Sequence, residues 1–347
     1  FTISLVTRAI MFAIMFAIMF VVSSLALFIA FRSRPSFVGA TPEQASLERY
    51  RVAIEPYRKW IAVAIVFVLS FFAGLAGSGE YGTFLLWQNS TLFGQVDPQF
   101  GRDLSFYTFE LPFFRFILGY GFALVILSLM IVTAVQYLYG GLRLQPKGER
   151  ATRAAQAQLS ALLAVFLLLK AVAYYLDRFG LVTKSEELVS GFTGLTYTDV
   201  FAVMPALNIL IFVAVLVAAL FIFNIFRRHW MIPTIGLGLL VFTSVVIGGI
   251  YPLIVQQFQV SPSELVREEP YIQRNIEATR DAYGIADAEI QDYAGSVSPP
   301  TRETLNASAG TLSNIRLLDP AVVSPTYNQL QQIRGYYAFN NTLDVDR

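Results

Sequence analysis

An all-α, polytopic transmembrane helical bundle is the fold class the sequence predicts, and three observations carry it. Of 347 residues, 55% are hydrophobic and 14% charged, against about 25% charged in an ordinary soluble domain. Six apolar runs are long enough to cross a bilayer, which takes about 20 residues. The segments between them divide arginine and lysine unevenly, as membrane topology requires. A mean hydropathy of +0.57 excludes disorder and leaves too few charges to cover two or three soluble domains.

The six runs fall at about 9–31, 60–77, 116–139, 159–176, 203–226 and 232–253. The first ends at Arg32, Arg34 and Pro35 and is too long for a cleaved signal peptide. It repeats every four residues, so Ala9, Ala13 and Ala17 form one row, suited to close helix approach, and Met11, Met15 and Met19 another. In the second run Gly74 and Gly77 are hinges or close-packing points, as are Gly248 and Gly249 in the sixth. Asn208 and Asn224 in the fifth run are expected to hydrogen-bond between helices.

Loop charge sets the orientation. Arg32, Arg34, Arg49, Arg51, Arg58, Lys59, Arg143, Lys147, Arg150, Arg153, Arg227 and Arg228 all fall on one side. The other side has Arg102, Arg115, Arg178 and Lys184. The rule places the richer side, loops 32–59, 140–158 and 227–231, in the cytoplasm. Trp60 and Trp230 stand at the cytoplasmic starts of their runs. Phe1 and residues 254–347 then lie outside a bacterial plasma membrane, and an external Phe1 calls for a seventh helix before it. The net charge of +1 is a balance: residues 1–253 hold 18 basic and 12 acidic side chains, and residues 254–347 hold 7 and 12.

Two outer loops are expected to be ordered. Loop 78–115 carries Tyr81, Phe84, Leu85, Trp87 and Phe93, which suggest a short interfacial helix. Loop 177–202 carries Gly191 and Gly194 among threonines. Beyond the sixth run, Ser261-Pro262-Ser263-Glu264 has the form of a capping box and predicts a fresh helix. Pro270 kinks or restarts that helix, and Gly284 ends it. Residues 298–300 form a linker, and a further helix is expected at about 327–334, stopped by Gly335. The chain divides accordingly into a transmembrane domain, 1–260, and the first portion of an exported domain, 261–347.

The chemistry is sparse. Cysteine is absent and His229 is the one histidine, so thiolate sites, multi-histidine metal sites and a Ser-His-Asp triad lack raw material. No Walker loop, dinucleotide fingerprint or nucleophile elbow is present. No catalytic residue, cofactor or metal ion is therefore expected, and the scattered basic residues do not form a nucleic-acid footprint. Lys170 lies inside an apolar helix, where a lysine costs about 2.5–3.5 kcal/mol near the bilayer centre. It shares a helical face with Tyr174 and Asp177, beside Arg178. This face is either a pathway contact or the site of an ion pair from Lys170 to an acid of loop 97–110. Asp97, Arg102, Asp103, Glu110 and Arg115 alternate in sign among aromatic residues. That pattern suits a salt-bridged cap over the helix ends, with calcium binding or acid–base chemistry as alternatives.

Several runs resemble a known family. Asp97-Pro98-Gln99-Phe100-Gly101-Arg102-Asp103-Leu104-Ser105-Phe106-Tyr107, followed by Glu110-Leu111-Pro112-Phe113, is similar to the external signature of the Uncharacterised Protein Family 0182 membrane proteins. So is Lys170-Ala171-Val172-Ala173-Tyr174-Tyr175-Leu176-Asp177-Arg178. Further similar runs are Tyr271-Ile272, Arg274-Asn275-Ile276-Glu277-Ala278-Thr279-Arg280, Ala282-Tyr283-Gly284, Asn314-Ile315-Arg316-Leu317-Leu318-Asp319 and Leu343-Asp344-Val345-Asp346-Arg347. The resemblance implies an actinobacterial protein with about seven N-terminal membrane helices and a large exported domain, and it implies no activity. The leading expectation is a non-catalytic anchor, scaffold or accessory subunit for envelope assembly or a membrane complex, with the lipid bilayer and complex subunits as partners. The alternatives are a transporter or channel for lipid or a hydrophobic solute, and an enzyme whose active site lies in the rest of an exported domain. The sequence leaves oligomeric state open.

Overall fold

The computed structural model describes residues 2–34, 50–142, 151–185, 193–227, 231–289, 299, 301–315, 319–331, 333–336 and 339–340. Arg49, Arg143, Lys147, Arg150, Gly191, Arg228, His229, Trp230, Pro300 and the 343–347 motif lie outside the described residues. Among the described residues there is no strand, only three isolated bridges, Val96 with Asp103, Leu142 with Ala151 and Ser185 with Thr193.

Six helical runs are long and apolar enough to cross a membrane: Thr2–Arg32, Tyr50–Gly79, Phe106–Leu138, Arg153–Thr183, Asp199–Arg227 and Pro233–Ala282. Their α-helical bodies are α1 (Thr2–Arg32), α2 (Arg58–Gly79), α4 (Leu111–Leu138), α5 (Arg153–Gly180), α6 (Met204–Arg227) and α7 (Met231–Val245). A short helix, α3 (Tyr81–Gln88), sits between α2 and α4. The runs exceed the expected spans because apolar residues mark only the part in hydrocarbon. Amphipathic turns such as Arg153–Gln158, capped by Thr152 accepting from the Ala155 N–H, extend the helices beyond it.

Helix α5 packs most extensively on α6, and α1 on α2. Small side chains make the first contact close: Ala164 and Ala171 of α5 meet Ala214 and Ala218 of α6, with Leu167, Tyr174, Leu210, Val217 and Phe221 filling the layer. In the second contact the methionine row of α1 packs inward, and the alanine row does not provide the close approach it would permit. Met11, Met15 and Met19 are buried, whereas Ala9, Ala13 and Ala17 are exposed. The small surface belongs to α2: a Cβ at Gly74 would stand 2.8 Å from the Phe12 ring, and one at Gly77 would stand 2.9 Å from the Met15 Cβ. Large side chains on α1 need small partners opposite, and the glycines meet that need.

Buried amides tie the helices together. The Asn224 amide donates to the Ser160 hydroxyl at 2.9 Å and accepts from Gln156 at 3.4 Å. Gln136 donates to Ser33 and Gln158, and Gln158 donates to the Ala26 carbonyl at 2.8 Å. Asn208, expected to do the same as Asn224, is exposed and makes no side-chain hydrogen bond among the described residues. Sixteen residues before Asn224 on α6, it does not share the buried stripe of Leu210, Ala214, Val217 and Phe221.

The sixth run also departs from expectation. After α7 come a π turn (Val246–Ile250), α8 (Tyr251–Val255), a second π turn (Gln256–Val260), a 3₁₀ turn (Ser261–Ser263) and α9 (Glu264–Ala282), following one another without a loop. A fresh α-helix does start here, at Glu264, after non-helical backbone angles at Ser263 (φ −139°, ψ 42°), but without the capping bonds. The Ser261 hydroxyl donates backwards to the Gln256 carbonyl at 3.0 Å, and Ser263 makes no capping bond. The wide turn followed by the tight one carries the chain past Pro262, whose missing N–H would interrupt a regular α ladder. Pro270 lies inside α9 without ending it. Gly284, at φ +65°, closes the helix as expected: its N–H bonds Asp281 and that of Ile285 bonds Arg280, the two bonds of a Schellman motif.

The chain forms two compact units, Phe1–Ala286 and Asp287–Arg347. In the second unit the described helices are α10 (Arg302–Ala307), α11 (Ala309–Asn314) and α12 (Pro320–Leu330). The helix expected at 327–334 is therefore displaced towards the N-terminus. Asn328 holds Phe339 through two hydrogen bonds, and the Tyr327 and Phe339 rings pack at 5.4 Å.

Candidate functional site

At one end of the bundle two loops close on α9, the part of the sixth run beyond its most apolar stretch. The first loop, after α3, is a tight hairpin. The Asp97 N–H bonds Arg102 O at 2.7 Å, the Leu104 N–H bonds Gln95 O, and Gly94 and Gly101 supply the positive φ its turns require. Two carboxylates pin it. Asp97 is buried and accepts from the Phe100 N–H at 2.6 Å and the Tyr107 hydroxyl at 3.1 Å. Asp103 accepts from the backbone N–H groups of Phe93, Gly94 and Ser105 at 2.9–3.1 Å. Led by the Ser105 hydroxyl and amide and then the Phe93 amide, these donors hold the Asp103 carboxyl down at about 2. From the hairpin, Gln95 donates to Asp281 at 2.8 Å and Gln99 accepts from Arg274 at 3.3 Å.

The second loop precedes α6. Asp199, 1% exposed, accepts from the Thr196 N–H and hydroxyl and lies 3.4 Å from the Lys184 ammonium. The Tyr197 N–H so presented donates to both oxygens of Glu268 on α9, at 2.9 and 3.1 Å. Arg267 donates to the Tyr197 hydroxyl at 2.7 Å and lies over its ring, and Asn275 donates to the Thr193 carbonyl at 2.8 Å. Thr198 bonds Gln256 in the π turn. Behind these contacts lies a cavity of about 450 Å³, with Val203, Pro252, Leu253 and Ile272 as apolar wall and Lys184, Asp199, Glu264 and Glu268 as polar wall. Chemically this is a clamp. Asp199 and Glu268 spend their lone pairs on a loop, and among the described residues no cluster of three His, Cys, Asp or Glu is arranged for a metal ion.

The residues singled out from sequence divide between the clamp and its surroundings. Asp97 and Asp103 build the hairpin, but not through ion pairs: among the described residues neither acid, nor Arg102, Glu110 or Arg115, makes a salt bridge within 4.0 Å. Backbone N–H groups already fixed by the turn reach the carboxylates without ordering a long cationic side chain. The cations lie on rings and backbone instead. Arg102 is 5.5 Å from the Phe106 ring centroid, and Arg178 is 5.9 and 5.7 Å from those of Phe100 and Tyr175. Arg115 occupies the space beside Gly180 that a Cβ would need. Glu110 immediately precedes α4.

Lys170 forms no ion pair with an acid of loop 97–110. Its ammonium lies 4.4 Å from the centroid of the buried Tyr174 ring, a partner that eases a charge in an apolar helix. Asp177 is exposed and bonds neither of them. Sequence reasoning missed Asp199, Tyr197, Arg267 and Glu268. The one available signal was a set of acids beside spans, Asp199 and Glu268, in places where a lone carboxylate is costly without donors.

At the opposite end Glu55 lies between Arg34, at 3.0 Å, and Arg58, and accepts from the Tyr139 hydroxyl at 2.8 Å.

The model of the Uncharacterised protein family (UPF0182) matches residues 1–347. Among curated proteins, UPF0182 proteins of Frankia casuarinae and Streptomyces coelicolor are 52% and 45% identical to this chain, each over 100% of it and over 34% and 35% of their own length. One of Thermobifida fusca is 47% identical over 98% of this chain and 33% of itself. The chain thus spans about a third of the length of the curated relatives it matches. No solved structure matches it.

Proposed function

We propose that this chain, which belongs to the Uncharacterised protein family (UPF0182), is a non-catalytic multi-pass membrane anchor that presents a rigid helix to a membrane or envelope complex. The observation that carries the reading is the length of the sixth run and the grip upon it. The run covers fifty residues, Pro233–Ala282, with a break at Ser263, whereas about 20 residues cross the hydrocarbon core, so α9 lies beyond it. The excess does not stand alone: α9 is held by Glu268, Arg267, Asn275, Arg274 and Asp281 against two loops of the bundle. Held in this way, α9 offers a fixed surface at the end of the bundle. The loop charges favour an external clamp and a cytoplasmic Arg34–Glu55–Arg58 end.

The test uses the whole protein, purified in mild detergent from native membranes. A stoichiometric partner is expected with the wild type, and its yield falls in a Glu268→Ala variant that still reaches the membrane. Isolation of the wild type alone, with the variant indistinguishable from it, would remove the scaffold reading. The cavity of about 450 Å³ beside Asp199 supports a second reading, passage of a lipid or hydrophobic solute. Flux through reconstituted vesicles, abolished by filling that cavity, is what this reading requires.

A further inference from the structure

The end of the bundle away from the clamp carries a groove that the anchor reading does not use. It measures about 410 Å³ and opens between α1, α2 and α4. Its walls are apolar, formed by residues such as Phe31, Ile61, Ile65, Met130 and Leu138, and it closes at one end on Arg58 and Tyr139. Among the described residues Arg34 and Arg58 share a single carboxylate there, Glu55, and their side chains remain 36% and 31% exposed. Tyr57 and Trp60 beside them are exposed as well, which suits amphipathic rings at headgroup level.

We propose that this groove seats one acyl chain of an anionic phospholipid, with the phosphate on Arg58 and Arg34. Three observations converge on that occupant. On α4 the groove runs from Met130 to Tyr139, about 13 Å at 1.5 Å per residue, close to the ~15 Å of one leaflet's hydrocarbon. Apart from Arg58 and Tyr139 every lining residue is apolar, which suits a hydrocarbon chain below a charged headgroup. Among the described residues two guanidinium groups share one carboxylate at the Arg58 end of the groove, and guanidinium binds phosphate through paired hydrogen bonds.

The experiment is native mass spectrometry of the whole protein after exchange into mixed phosphatidylglycerol and phosphatidylcholine vesicles. Wild type is expected to retain phosphatidylglycerol in preference. Arg58→Gln combined with Arg34→Gln lowers that preference about tenfold, as loss of a charge-assisted contact requires. Ala134→Phe, which fills the groove from an exposed position, lowers retention of both lipids without changing charge. Lys59→Gln, an exposed cation that does not line the groove, leaves retention unchanged. Because Ala134→Phe touches no core residue, it keeps the test decisive even where the arginine variant fails to fold. Equal retention of the two lipids by wild type, unaltered retention in Ala134→Phe, or a loss in Lys59→Gln as large as in the arginine variant would each overturn the proposal. The last would mean diffuse attraction and not a site.

Discussion

At the clamp end Asp97, Asp103, Asp199 and Glu268 all accept from backbone N–H groups, whereas at the opposite end Glu55 is held by two arginines and a tyrosine hydroxyl. Backbone donors are fixed by the turn that presents them, so the bond orders little that was not already ordered. Long cationic side chains must be immobilised to make their pairs, and they are screened by solvent. One end is therefore built to hold a fixed shape. The other keeps charge within reach of a ligand.

The sharpest way to break this contrast is to remove one acid from each end. Asp199→Ala strips two bonds from Thr196 and one acidic partner from Lys184. Each hydrogen bond to a charged group is worth about 1.5–3 kcal/mol, so a loss of about 2–3 kcal/mol is expected after discounting half-exposed Lys184 for solvent. Glu55→Ala should cost below about 1 kcal/mol, as for exposed pairs. Thermal unfolding in detergent measures both, and equal losses would erase the distinction. Hydrogen exchange should accelerate over 193–200 and α9 in the first variant only.

A smaller effect comes from the bundle interior, which belongs to neither end. Asn224→Ala leaves Gln156 and Ser160 without their partner. Interhelical bonds of this kind average about 0.6 kcal/mol, so the loss should fall between those of the two acid variants or match that of Glu55→Ala. A loss as large as that of Asp199→Ala would make the amide layer, and not the clamp, the main determinant of rigidity.

The smallest effect sharpens the comparison by pH. Asp103 is held down at about 2 by the Ser105 hydroxyl and amide and the Phe93 and Gly94 amides, below the ~3.9 of a free aspartate. A depressed carboxyl stabilises the fold fully above its unfolded value, and that contribution is lost as pH falls through the folded one. Exchange protection over 93–105 should therefore hold at pH 5 and decline between about pH 4 and pH 2. Asp103→Asn should remove that dependence, and a decline persisting in the variant would assign it to another group.

Much of the architecture was legible without coordinates because a span is a local property. Apolar length fixes where a helix can cross, and Gly284 ends α9 through its own backbone freedom. The alternation of charge in loop 97–115 marked an ordered cap, yet not its bonds: Asp97 and Asp103 answer to Phe100, Tyr107, Phe93 and Gly94, donors that a charge pattern does not display. The four-residue repeat of α1 was equally visible, but which of its two rows faces inward depends on what α2 offers opposite.

By itself the sequence determined that this is a chain of six membrane-length helices, where each lies, and that a soluble-type surface is out of reach. Only the tertiary structure decided that helical turns fill 246–263, up to the break at Ser263, and that the helix beyond is gripped. The reason is distance along the chain. Tyr197 meets Glu268 across 71 residues and Gln95 meets Asp281 across 186. No local pattern specifies such pairings; the packing of the bundle brings their partners together.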